Sequence, residues 1–137
     1  MVRLSHSPPS LYGVLTDTTV AAAATKNDPS HPLSLQLSDF SRDLQVNTTS
    51  AFVAAQQAVS AFEQLPDSAS MTFIYTGNIM NTKPLGPLLD LGVGKSATAH
   101  IIQAAAAAYK ERGFKYVLLR TYPVASLFSW DVAVLIV

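Results

Sequence analysis

Apolar residues recur at steps of three and four along two long stretches, with short β-branched and aromatic runs beside them. In the first stretch, residues 38–65, this spacing puts Phe40, Leu44, Asn47, Ala51, Ala55, Ala58 and Phe62 on one face of a predicted helix. Ser38 is its expected N-cap, Asp39 complements the dipole in the first turn, and Pro66-Asp67-Ser68 ends it. The second stretch, residues 88–112, aligns Leu88, Leu91, Lys95, Ala99, Ile102, Ala106 and Tyr109. Lys110 and Arg112 suit its C-terminal end, and Gly113 is a natural residue just past it. Residues 71–76 and 114–119 read as buried strands. The intervening residues 77–87 carry the Gly and Pro of a loop.

The ends are less regular. Residues 1–10 read as a loose lead, with a short strand around 12–15 and a small apolar run at Ala21-Ala22-Ala23-Ala24. Turn chemistry in Asn27-Asp28-Pro29 and His31-Pro32 makes residues 25–32 a loop. The tail, residues 121–137, fits the plan least, although 131–137 suits a final strand. Helix, strand, helix, strand is an α/β order, and right-handed crossovers then lay successive strands side by side in a parallel sheet.

Composition narrows the function classes. The chain has 137 residues, enough for one domain with a core, and 49% of them are apolar against 13% charged. The formal net charge is zero and no basic stripe is present, which argues against nucleic acid as a partner. The absence of cysteine excludes disulfides and thiolate metal sites. The first ten residues lack the apolar core of a signal peptide, so a cytoplasmic location is expected. Residues 116–137 are apolar enough to raise a membrane-anchor reading, but Arg120, Pro123 and Asp131 interrupt them.

Two polar residues stand on the apolar stripes, Asn47 and Lys95. A buried amide or ammonium is costly without partners, so each position asks for an explanation. For Asn47 the bland explanation is a core asparagine bonded to backbone at a sheet edge; for Lys95 it is a first-turn lysine reaching out to solvent. Gly94-Lys95-Ser96 fits a phosphate-binding P-loop poorly, because that motif needs glycine where Leu89 stands. Asn47-Thr48-Thr49 matches a glycosylation sequon but lies on a helix stripe. His6, His31 and His100 are too scattered for a metal site.

Three segments in order carry a resemblance. Val46-Asn47-Thr48-Thr49-Ser50 resembles the asparagine-bearing fourth helix of the short-chain dehydrogenase/reductase family. Phe73-Ile74-Tyr75-Thr76-Gly77-Asn78 is similar to the following strand, whose end carries the family's serine. Leu91-Gly92-Val93-Gly94-Lys95-Ser96-Ala97 is similar to the start of its Tyr-x-x-x-Lys helix. The likeness is to a divergent fungal branch and covers residues 20–120. It implies a single partial nucleotide-binding domain over residues 1–137, resembling the C-terminal half of a Rossmann-like, doubly wound fold. Three or four parallel strands flanked by long helices are expected. It also implies NAD or NADP as cofactor and a carbonyl or alcohol substrate. Catalytic roles would fall to Asn47 (water-holding), Thr76 and Asn78 (the serine region) and Lys95, and cofactor binding to Lys95 (ribose) and Asn47. A homodimer through the helix around Ala104 to Ala108 is implied as well.

The chain departs from the pattern where the chemistry is most demanding. The tyrosine position is Leu91, which cannot transfer a proton. Tyr75 and Tyr109 are the obvious substitute phenols. The region where a Gly-rich phosphate turn would lie offers only Gly13, and Val20 stands where the family often has asparagine. Three readings follow: an oxidoreductase of this family, truncated and impaired; a non-catalytic fragment or pseudoenzyme that binds a partner; and a small membrane-associated protein using its apolar C-terminus. An incomplete sheet also predicts a chain poorly stable by itself.

Overall fold

A computed structural model describes residues 22–123 and 130–136, with side chains up to residue 119. The first predicted helix forms as one run in three parts: α1 (Leu37–Leu44), a π-helical turn (Gln45–Thr49) and α2 (Ser50–Phe62). From Asn47 on, the expected stripe is the buried face, with Ala51, Ala55, Ala58 and Phe62 in the core and Asn47 fully buried in the π-turn, whereas in α1 its members Phe40 and Leu44 are half-buried and Asp43 is the buried residue. Ser38 does not cap it. The N-cap is Gln36, without a side-chain bond, and its carbonyl accepts the Phe40 N–H at 3.0 Å. Asp39 does lie in the first turn.

Strand β1 (Thr72–Asn78) leads through two 3-10 turns, Ile79–Asn81 and Gly86–Leu88, into α3 (Leu89–Tyr109). The last turn of α3 tightens over Lys110–Arg112, and Gly113 stops it at φ +73°. Its missing Cβ would meet nothing within 4 Å, so the left-handed backbone alone favours glycine there. Leu91, Lys95, Ala99, Ile102 and Ala106 are all buried, which makes the predicted stripe the packed face of α3.

Strand β2 (Lys115–Pro123) pairs with β1 in parallel, Tyr75 opposite Leu118 and Thr76 opposite Leu119. This is the crossover expected for an α/β chain. The last described strand, β3 (Trp130–Ile136), runs antiparallel to β2. The expectation of three or four parallel strands is therefore met by two, and the final strand is corrected in direction: only residues 124–129 separate β2 from β3, too few for a parallel crossover. The readings of residues 1–10 and of a strand around 12–15 lie outside the described residues.

Helices α2 and α3 pack on one face of the sheet around a cluster that includes Phe62, Phe73, Ile102, Phe114 and Tyr116. Phe62 and Phe114 meet edge-on at 5.3 Å between centroids, and the Tyr116 hydroxyl donates to the Ala55 carbonyl at 3.2 Å. Along β1, Phe73, Tyr75 and Gly77 are buried while Ile74 and Thr76 are exposed. The buried strand expected at 71–76 is thus buried on one side only: β1 is covered on its helix side, and Ile74 is 58% exposed on the other. Among the described residues no helix is long and apolar enough to cross a membrane.

Candidate active site

The site forms where the π-turn, the end of β1 and the first turns of α3 converge. Gly94 makes the approach possible: a Cβ there would fall 2.5 Å from the Asn47 Cβ. Two bonds cross the contact. The Thr48 hydroxyl donates to the Gly94 carbonyl at 3.2 Å, and the Thr98 hydroxyl donates to the Asn47 carbonyl at 2.8 Å. The second satisfies a carbonyl of the π-turn, where the wider turn disturbs the regular ladder.

Lys95 is 7% exposed. It does not reach out to solvent. Its Nζ donates to the Tyr75 hydroxyl at 3.1 Å and to the Thr76 carbonyl at 3.3 Å, and lies 4.9 Å from the centre of the Tyr75 ring. Three partial negative charges thus face one buried ammonium: a phenol oxygen, a carbonyl oxygen and a π-face. Lysine carries three N–H donors, and the described residues engage two. The third is the donor that Lys95 would offer a bound nucleotide.

The other expected site residues are placed as follows. Asn47 is spent on backbone: its Nδ2 donates to the Ala23 carbonyl at 2.6 Å and its Oδ1 accepts the Ala23 N–H at 3.2 Å. Thr76 joins Lys95 through its carbonyl, while its side chain lies on the exposed side of β1. Asn78 turns away to cap the 3-10 turn, accepting the Met80 N–H at 3.0 Å. Of the two substitute phenols, Tyr75 touches Lys95. Tyr109 stacks with Phe114 and Tyr116, about 21 Å along α3 from Lys95 at the helical rise. Leu91, at the tyrosine position, is buried.

The sequence reading missed two residues here. Asp43 and Asp90 are both completely buried and converge on Thr25, whose hydroxyl donates to Asp43 Oδ2 at 2.8 Å and whose N–H donates to Asp90 Oδ2 at 2.7 Å. Asp90, Gly94 and Thr98 stand four apart, a small and polar row on α3 facing Asp43 and Asn47. That spacing was the available signal, hidden because the row is not hydrophobic. The bond from Asp90 holds the Asp43 carboxyl below the usual carboxylate range, against the cost of burial. Burial, and then the bond to Asp43, pushes Asp90 up.

Beside the outer face of α3 lies a cavity of about 600 Å³, lined by Met80, Leu85, Leu89, Gly92, Val93 and Ser96 among others. It is mostly apolar. Asn81 also lines it, and both side-chain polar atoms of Asn81 are buried without a partner among the described residues.

No family model matches the chain. It is similar to the short chain dehydrogenase/reductase dmxR12 of Cryptosporiopsis sp. (strain 8999), 50% identical over 97 residues. Those residues make up 71% of this chain and 39% of that relative, so the chain spans about two fifths of its length.

Proposed function

This chain belongs, over the segment it shares with that relative, to the short-chain dehydrogenase/reductases, and on that premise we propose that it serves nicotinamide-dependent oxidoreduction of a small carbonyl or alcohol. The observation that carries the reading is the buried Tyr75–Lys95 pair. A phenol and an ammonium meet as they would in the family, but the phenol comes from β1 rather than from the preceding turn of α3. When bound, a nicotinamide nucleotide would supply or take the hydride. Lys95 holds the ribose with one N–H and gives a proton from Nζ to the carbonyl oxygen, which becomes the alcohol. Tyr75 restores that proton from its hydroxyl, and solvent reprotonates the pair through Lys95, 7% exposed against 3% for Tyr75.

The test is a kinetic comparison of Tyr75→Phe with Lys95→Ala in NADPH- or NADH-dependent turnover. Tyr75→Phe lowers kcat by about 100-fold or more and leaves nucleotide affinity near the parent value. Lys95→Ala removes both. Unchanged kcat in Tyr75→Phe contradicts the relay.

A second reading is favoured by one further surface. Phe52, Ile101, Ala104, Ala105 and Ala108 line an apolar groove of about 590 Å³ between α2 and α3, with Phe52 45% exposed. A second copy of this chain, or a full-length relative, packs there through the small alanine face, and in that role catalysis is dispensable. Ala105→Glu, which sets a charge in the groove, shifts size-exclusion elution to the monomer if the groove is the interface. Elution unchanged from the parent removes this reading.

A further inference from the structure

The segment of residues 23–27 has no regular structure, yet it is pinned to the helices at three points. At its start, Ala23 exchanges two hydrogen bonds with the Asn47 side chain. At its end, the Asn27 N–H donates to the Pro87 carbonyl at 3.1 Å and its Nδ2 to the Gly86 carbonyl at 2.8 Å. Between them, Thr25 is held by the two buried carboxyls. Its N–H donates to Asp90 Oδ2 at 2.7 Å and its hydroxyl to Asp43 Oδ2 at 2.8 Å. The segment is thus a strap across α1 and α3, and its middle fastening is an acid pair.

We propose that the Asp43–Asp90 pair is a proton-operated latch, which holds the 23–27 strap while the pair carries one proton and releases it when Asp90 ionises. Two carboxyls hydrogen-bond each other only while a proton lies between them. Without it, two negative charges share a site that excludes water, and one must leave.

The surrounding charges decide which carboxyl gives up its proton first. From α1, Arg42 Nε donates to Asp43 Oδ1 at 2.8 Å, and Asp39 touches the pair only through Arg42 Nη1 at 2.9 Å. From the strap come the Thr25 N–H and hydroxyl, the latter also accepting from Arg42 Nη2 at 2.7 Å. From α3 comes the Leu91 N–H, donating to Asp90 Oδ1 at 2.8 Å. Among the described residues the cation at the pair, Arg42, thus faces Asp43, so Asp43 keeps the charge and Asp90 keeps the proton. The directions agree: Asp43 is lowered and Asp90 raised. For Asp43, the contribution to stability is present above the ordinary carboxylate range and is lost as pH falls through its lowered value. For Asp90, it is present below that range and is lost as pH rises through its raised value. Rising pH therefore opens the latch, and because the same strap pins Asn47 through Ala23, it loosens the π-turn against Gly94 and the helix that carries Lys95.

The experiment is amide hydrogen exchange at Thr25 in the full chain across pH, corrected for intrinsic exchange, in parent and Asp90→Asn. An asparagine at position 90 keeps a donor toward Asp43 at every pH. In the parent, protection at Thr25 falls by up to about tenfold per pH unit as the pair gives up its one proton. In Asp90→Asn it stays flat. Flat protection in the parent, or the same fall in both proteins, overturns the latch. Should Asp90→Asn fail to fold, the Asp90 carboxyl carbon shift in the parent decides: its titration must coincide with the loss of Thr25 protection, and a separation of the two overturns the proposal.

Discussion

Lys95 Nζ and the Tyr75 hydroxyl lie 3.1 Å apart in a buried setting, joined across a parallel strand and the first turns of a helix. The pair is structural as well as chemical. Tyr75→Phe leaves the ammonium with the Thr76 carbonyl and the ring face. Hydrogen bonds to charged groups contribute roughly 1.5–3 kcal/mol, and the urea midpoint of Tyr75→Phe is expected to fall by a corresponding amount. An unchanged midpoint would mean that Lys95 finds another partner at no cost.

Gly94 supports the same site from below. Its neighbour Asn47 stands where a Cβ would come within 2.5 Å, and the clash is with another Cβ, not with the end of a flexible chain. Gly94→Ala must therefore push α3 away from the π-turn. Overpacking of this kind costs about 1–3 kcal/mol, read as a lower Tm. Alanine raises helix propensity at the same position, so a Tm above the parent would mean that the two helices separate freely.

Tyr116 gives a prediction with a pH axis. Burial pushes its phenol up to about 12. A phenol raised in this way adds stability below the ordinary tyrosine range and loses it as pH climbs through the raised value. Ultraviolet titration of parent and Tyr116→Phe should differ by one phenol that ionises about two units later than exposed tyrosines. If that phenol titrates with the others, the core around Phe62, Phe73 and Phe114 is open to water.

Both helix stripes were legible in the sequence because periodicity reports burial directly. Asn47 and Lys95, the two polar residues on those stripes, are buried where the pattern put them. Asn47 is a backbone-bonded core amide as the bland reading had it, but its partner is Ala23 in an irregular segment and not a sheet edge, and the solvent-reaching reading of Lys95 does not hold. Gly113 was legible because few residues tolerate its backbone angle. Ser38 misled, since a capping residue type marks many positions where no cap forms. Asp43 and Asp90 were illegible to hydropathy: charged residues are counted as exposed, and only the partners supplied by Thr25 and Arg42 reveal why these two are not. The direction of β3 was also hidden, because an apolar run carries no sign for parallel or antiparallel pairing.

The account rests on Lys95 retaining a nucleotide site without the phenol at position 91. The most direct measurement is the melting midpoint of the full chain with excess NADPH or NADH, beside Lys95→Ala. Binding to the folded state must raise the midpoint, by an amount set by ligand concentration over Kd. The account predicts a rise with at least one of the two nucleotides in the parent and none in Lys95→Ala. A parent midpoint unmoved by both nucleotides, or a rise that persists in Lys95→Ala, would contradict it.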